Sequence, residues 1–152
     1  MGGTPREGGV LLAQVHQLSG RVFARVLKSH GLDELSPAQG RIVYALWKRG
    51  SLSQKELSDE TRLDKSTLAL MLDRLEADGQ VVRRPDPADA RRRCVSLTPR
   101  NLSLHEVYAK ASAEMNDLFY AGLGIREIER FERTLARIRS NLEAAERSMD
   151  RD

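Results

Sequence analysis

The chain has 152 residues, of which 40% are hydrophobic and 31% charged, and its 25 Lys and Arg against 22 Asp and Glu leave a net charge of +3. That size supports one domain with its own core and not two ordinary ones, while the mild basic excess permits a polyanionic partner without demanding one. No stretch approaches the ~20 apolar residues of a membrane span, and Met1 to Gly9 is too polar for a signal peptide, so no membrane contact and a cytoplasmic location are expected.

Gly2, Gly3, Gly8, Gly9 and Pro5 mark residues 1–9 as a disordered tail. From Val10 to Ser29, the recurrence of Leu11, Val15, Leu18, Val22 and Val26 predicts one face of a helix that His30 and Gly31 end. Ser36 followed by Pro37 starts a second helix, with Ile42, Val43, Leu46 and Trp47 on its apolar side and Gly50 at its close. Leu52 is a short strand candidate. Ser53 with Glu56 three residues later forms a capping box, and Asp64 is the next N-cap, so Thr61, Arg62 and Leu63 are left as a tight turn between two helices. Gly79 ends the second of these helices. Val81–Arg83 and Cys94–Leu97 then read as strands around a Pro- and Asp-rich loop, a hairpin whose tip carries arginines.

Beyond the hairpin, Thr98 and Pro99 open a helix expected to run to about Ala121 through Leu102, Val107, Ala111, Met115 and Leu118, with Gly122-Leu123-Gly124 as its breaker. Ile128, Phe131, Leu135, Ile138, Leu142, Ala145 and Met149 alternate steps of three and four, which is a heptad seam. The fold expected is mainly α with a small β-hairpin wing (α+β). Residues 36–98 form a winged helix-turn-helix, and residues 10–35 and 99–152 form a helical dimerisation region. The 36–98 stretch has enough apolar positions to close on itself. The outer helices could cover their own domain, but their leftover stripes point instead to a homodimer, which presents two recognition helices to half-sites about one helical turn apart.

Winged helices of this order bind double-stranded DNA, and candidate contacts follow from position. On the second helix of the pair, Leu68, Met71, Leu72 and Leu75 face inward and Lys65, Ser66, Ala69, Leu70, Asp73 and Arg74 outward. Ser66, Thr67, Ala69 and Leu70 are candidates for base edges, their small hydroxyls and apolar groups suiting thymine methyls more than bidentate guanine reading. Ser53 and Gln54 open a helix whose free amides favour a phosphate, and Lys65, Arg74, Arg84, Arg92 and Arg93 add charge. An enzyme is disfavoured: His16, His30, His105 and Cys94 are scattered without metal-ligand spacing, and Gly122-Leu123-Gly124 follows a helix and not a strand, so neither metal nor cofactor is expected. The remaining alternative is a winged-helix module that binds an acidic protein partner and no specific DNA.

Leu35-Ser36-Pro37-Ala38-Gln39, Leu52-Ser53-Gln54-Lys55-Glu56-Leu57, Asp64-Lys65-Ser66-Thr67, Arg74 to Gly79, and Asp86-Pro87-Ala88-Asp89-Ala90-Arg91 leading to Leu97-Thr98-Pro99 together resemble the MarR family of bacterial transcription regulators. The resemblance covers nearly the whole chain. It implies a homodimer, triangular in outline, that represses genes from palindromic operators and releases DNA when a small phenolic or other lipophilic effector binds between the dimerisation region and the winged helix. It implies that Arg91 enters the minor groove and that Asp89 braces it. Leu70 departs from the polar or basic residue the family often has there. Residues expected where the two regions meet, and so candidates for the effector pocket, are His16, Tyr44, Trp47 and Tyr108. The family's peroxide sensors carry a cysteine in the first helix, whereas Cys94 falls in a wing strand, where a buried structural thiol is expected.

Overall fold

A computed structural model describes residues 4–32 and 35–151. In chain order the elements are α1 (Gly8–Ser29), α2 (Pro37–Arg49), β1 (Leu52–Ser53), α3 (Gln54–Thr61), α4 (Lys65–Ala77), β2 (Val81–Pro85), β3 (Arg93–Leu97), α5 (Pro99–Ser103), α6 (His105–Phe119) and α7 (Ile125–Met149). They fall into two units, residues 1–115 and 116–152. The first holds the winged helix.

Its helices start where a side chain replaces the missing backbone acceptor. Ser36 Oγ accepts from the Gln39 amide while Gln39 Oε1 accepts from the Ser36 amide, a capping box more complete than the serine–proline start suggests. Ser53 and Glu56 make the same reciprocal pair, both bonds at 3.1 Å. Asp64 Oδ1 accepts from the Thr67 amide at 2.7 Å and starts α4. Between α3 and α4 the turn is closed by Arg62 in the left-handed region (φ 60°) and by Ser58 Oγ, which donates to the Leu63 carbonyl at 2.7 Å. At the end of α4, Gly79 takes φ +71°, a conformation where any side chain is strained.

The sheet is antiparallel in the order β1-β3-β2, with Leu52 opposite Val95 and Val81 opposite Leu97. Leu52, Val81 and Val95 are its buried hydrophobic residues, and they join Ile42, Leu46, Leu57, Leu68, Leu72 and Leu75 in one core. Each such side chain contributes about 1.5–3 kcal/mol relative to exposure. A second cluster of Val26, Leu27, Leu32, Tyr108 and Ala111 packs α1 on α6, and Leu35 and Trp47 touch both clusters.

Two boundaries differ from expectation. α1 begins at Gly8, two residues inside the stretch expected to be tail, while Met1, Gly2 and Gly3 lie outside the described residues. The single helix expected from Pro99 to Ala121 is two, because α5 ends after one turn at Leu104, whose amide donates to the Asn101 carbonyl at 2.9 Å. That short turn carries Asn101 into the interior, where it is fully buried. In the second unit, Gly122 (φ +83°) makes the turn into α7, and the Phe131 ring lies 6.3 and 6.4 Å from those of Tyr120 and Phe119. α7 has no buried residue; Ile128, Phe131 and Leu135 of its seam are half-buried, whereas Ile138, Leu142 and Met149 are exposed.

Candidate nucleic-acid interface

α4 buries Leu68, Leu72 and Leu75, which turns Lys65, Ser66, Leu70, Asp73 and Arg74 to the surface; Thr67, Ala69 and Met71 are half-buried. The expected helical register therefore holds, and Leu70 is not a core residue. The Thr67 hydroxyl donates to Asp64 Oδ2 at 3.0 Å and belongs to the helix cap.

β2 is locked to α4 by a residue that sequence reading missed. Arg83 donates through Nη2 to Asp73 Oδ1 at 2.7 Å and to Glu76 Oε1 at 3.1 Å, and its amide donates to Glu76 Oε2 at 3.0 Å. The pairing holds the Glu76 carboxyl below the usual carboxylate range, chiefly through the Arg83 side chain and then its amide, and pushes the guanidinium further up. The available signal was an acid pair spaced three residues apart on α4, which places Asp73 and Glu76 on one face beside the first wing strand.

A second clasp ties the hairpin loop, one residue before β3, to α3. Arg92 Nη2 donates to Glu56 Oε1 at 3.3 Å, and the Glu56 carboxyl is held low by the Ser53 amide first, then the Ser53 hydroxyl, with Arg92 adding a smaller pull. Ser53 is buried, its amide donates to Glu56 Oε1 and its hydroxyl accepts from the Glu56 amide, so its own amide is not among the free amides of the helix start. Together with Gln54, Lys55, Arg92 and Arg93 it lines an open cleft of about 490 Å³ at the start of α3. Lys55 had not been picked out.

At the hairpin tip, Asp86 accepts from the Ala88 amide at 2.8 Å and Asp89 from the Arg91 amide at 3.0 Å, two Asx turns that set the loop. Asp89 thus contacts Arg91 through the Arg91 main-chain amide. Arg84, Arg91, Arg92 and Arg93 are all exposed. Cys94 is half-buried and its thiol is pushed up, by burial and then by neighbouring Asp86, which keeps it protonated and poorly nucleophilic.

The four residues expected to share a pocket are not brought together. His16 and Tyr44 are exposed: His16 lies on the first half of α1, where Leu11, Leu12 and Val15 are exposed as well, and Tyr44 lies two residues from buried Ile42, on the opposite side of α2. Trp47 and Tyr108 do meet, with ring centroids 5.0 Å apart. Trp47 also borders a cleft of about 440 Å³ with Leu46, Ser51, Ser96, Leu97, Leu102 and His105, the last packed edge-on against the indole at 4.8 Å. Behind that cleft runs a buried polar relay: Trp47 Nε1 donates to Asn101 Oδ1 at 3.0 Å, and Asn101 Nδ2 donates to Gln80 Oε1 at 2.5 Å, one residue before β2.

A model of the MarR family matches residues 35–93, the winged helix itself. A crystal structure of a probable transcriptional regulator from Pseudomonas aeruginosa superposes on 86% of this chain and 95% of its own, with a TM-score of 0.75 and 32% identity. The chain belongs to the MarR family. Two curated relatives agree with the assignment. The HTH-type transcriptional repressor IacR of Pseudomonas putida is 29% identical over 87% of this chain and 77% of its own length. The HTH-type transcriptional regulator TtmR of Methylorubrum extorquens (strain PA1) is 36% identical, and that match spans 56% of this chain and 42% of TtmR. This MarR-family chain is a DNA-binding transcriptional regulator and not an enzyme. Among the described residues, no helix is long and apolar enough to cross a membrane.

Proposed function

We propose that this regulator is a cytoplasmic homodimeric repressor that occupies a palindromic operator, with α4 in the major groove and Arg91 in the adjacent minor groove. One observation carries the reading: β2 is held to α4 by Arg83, and the hairpin loop just before β3 is held to α3 by Arg92, so the exposed face of α4 and the arginine-bearing tip form one preset surface. A preset surface loses little conformational freedom on docking. Ser66, Ala69 and Leu70 then meet base edges, while Thr67 is tied to the N-cap Asp64. Gln54, Lys55, Lys65, Arg74, Arg84 and Arg93 meet phosphates and supply affinity without sequence preference. The apolar stripes of α1 and α7 hold the second copy, and the repressor IacR makes negative regulation the preferred sense.

Release by a small aromatic or lipophilic effector is the second part of the proposal. Its support is the cleft beside Trp47, which is apolar on most sides and offers His105 and two serine hydroxyls for orientation. The Trp47–Asn101–Gln80 relay gives an occupant of that cleft a hydrogen-bonded route to the root of the wing.

Titration of a palindrome recovered by selection from random DNA, followed by fluorescence anisotropy, tests the first part. The expected result is affinity that falls steeply with salt and exceeds that for random duplex by about 10³-fold or more. Arg91→Ala should weaken binding by about 5- to 100-fold, the value of one good groove contact, and leave the oligomer unchanged. Equal affinity for palindrome and random duplex would exclude the operator reading; parental affinity in Arg91→Ala would remove the wing from it.

A further inference from the structure

On the outward surface of α4, the two groups that flank Ala69 and Leu70 in sequence are taken up by intramolecular partners. The Thr67 hydroxyl is bound to Asp64 at 3.0 Å. Asp73, whose carboxylate would accept from a cytosine amino group, is drawn to Arg83 at 2.7 Å. Ser66, Ala69 and Leu70 lie between them. Ser66 is three and four residues before the other two, so the three side chains form one contiguous patch. Leu70, at its centre, is 49% exposed. A serine hydroxyl donates or accepts with any base and selects none by itself.

An apolar patch set between exposed Lys65 and Arg74 is suited to a surface that is negatively charged and yet carries isolated apolar groups. The major groove of DNA is such a surface, and thymine is the one ordinary base that places a methyl group there. We propose that Ala69 and Leu70 form a methyl-reading site on α4, which selects operators by the 5-methyl groups of thymines in the major groove. The proposal rests on the reading of α4 as the groove-entering helix and adds the chemistry that it reads. It assigns specificity to apolar contact, with Arg83 as a positioning residue that withdraws the competing acid.

Deoxyuridine separates this from every hydrogen-bonded alternative, because it keeps thymine's pairing and acceptor groups and deletes only the methyl. In the selected palindrome, thymines are replaced by deoxyuridine one position at a time and the full chain is titrated by anisotropy. Under α4, each lost methyl should weaken binding about fourfold, the value of one buried apolar carbon, and paired replacements in both half-sites about 15-fold. Under the wing the replacement should change nothing, since the minor groove presents no methyl group. Replacing both apolar readers, Ala69→Ser with Leu70→Ser, should bring the thymine-to-deoxyuridine ratio close to one, with salt dependence unchanged and circular dichroism showing the fold kept. Equal affinity for thymine and deoxyuridine at every position overturns the proposal, as does a ratio retained in that folded double variant. A chain that prefers no duplex over random DNA, or that instead captures an apolar peptide on α4, overturns the groove reading and this proposal together.

Discussion

Asn101 shows how much one polar side chain can hold in a small core. It is fully buried, yet it accepts from the Trp47 indole and donates to Gln80, itself buried, so a single amide on α5 satisfies groups from α2 and the lead into β2. Asn101→Ala strands both partners away from water. The loss should be about 1–3 kcal/mol, the cost of leaving such groups unpaired, read as a lower denaturation midpoint at unchanged slope. Asn101→Asp should not rescue it, because a carboxylate accepts from Trp47 but has no amide to donate to Gln80. The sequence gives little sign of this role: Asn101 stands two residues after a cap-plus-proline helix start, in a position that reads as solvated. Leu70 was easier to interpret, since helical spacing alone put it outside the leucine stripe, and its exposure follows from that phase. Ser53 and Asp89 differ in what their motifs reveal. The capping box at Ser53 is decided within three residues and is legible, whereas the spacing of Asp89 and Arg91 does not say that the acid takes the Arg91 amide.

At the scale of elements, the capping box at Ser53, the α3–α4 turn and the presence of the hairpin were legible, because each is decided within a few residues of sequence. The division of α5 from α6 was not, since it exists to bring Asn101 to partners that are distant in the chain. The two clasps on the wing belong with it. They join Arg83 to α4 and Arg92 to α3, contacts that depend on tertiary placement and leave only a pattern of charges behind. They also make the winged helix sensitive to acid. Glu56, Asp64, Glu76 and Asp86 all titrate below their ordinary range in the folded chain, each held there mainly by hydrogen bonds to the ionised form. A carboxylate lowered in this way stabilises the fold above its unfolded pKa, and the contribution is lost as pH falls through the folded value. The melting temperature should therefore be flat near neutrality and drop from about pH 5 to about pH 3. Glu76→Gln should melt lower than the parent at pH 7, and the difference should close toward pH 3. A constant offset across that range would mean that the Arg83 pairing adds nothing through the charge of Glu76.

At the scale of the molecule, the winged helix can account for its own stability, and the chain outside it cannot. Residues 36–98 close a core of fully buried leucines, isoleucine and valines. α1 instead exposes Val10, Leu11, Leu12, Val15, Leu18 and Val22, and α7 continues its seam into Ile138, Leu142 and Met149 with nothing buried. A seam that alternates three and four over seven positions and ends in water is incomplete as a single copy. Leu142 tests this, because it is 66% exposed and its replacement removes no core contact. Leu142→Glu should leave the monomer fold intact by circular dichroism and shift the mass by light scattering toward the 17.1 kDa of one chain, where the parent should run at twice that value. Operator affinity should fall with it by about 100-fold or more, because the second recognition helix then binds as an independent molecule and not at the millimolar effective concentration of a tethered one. Binding to a single half-site should be nearly unchanged, since α4 and the wing are untouched. A Leu142→Glu protein that keeps twice the chain mass would exclude the exposed end of α7 as the site of pairing and shift that role to the stripe of α1.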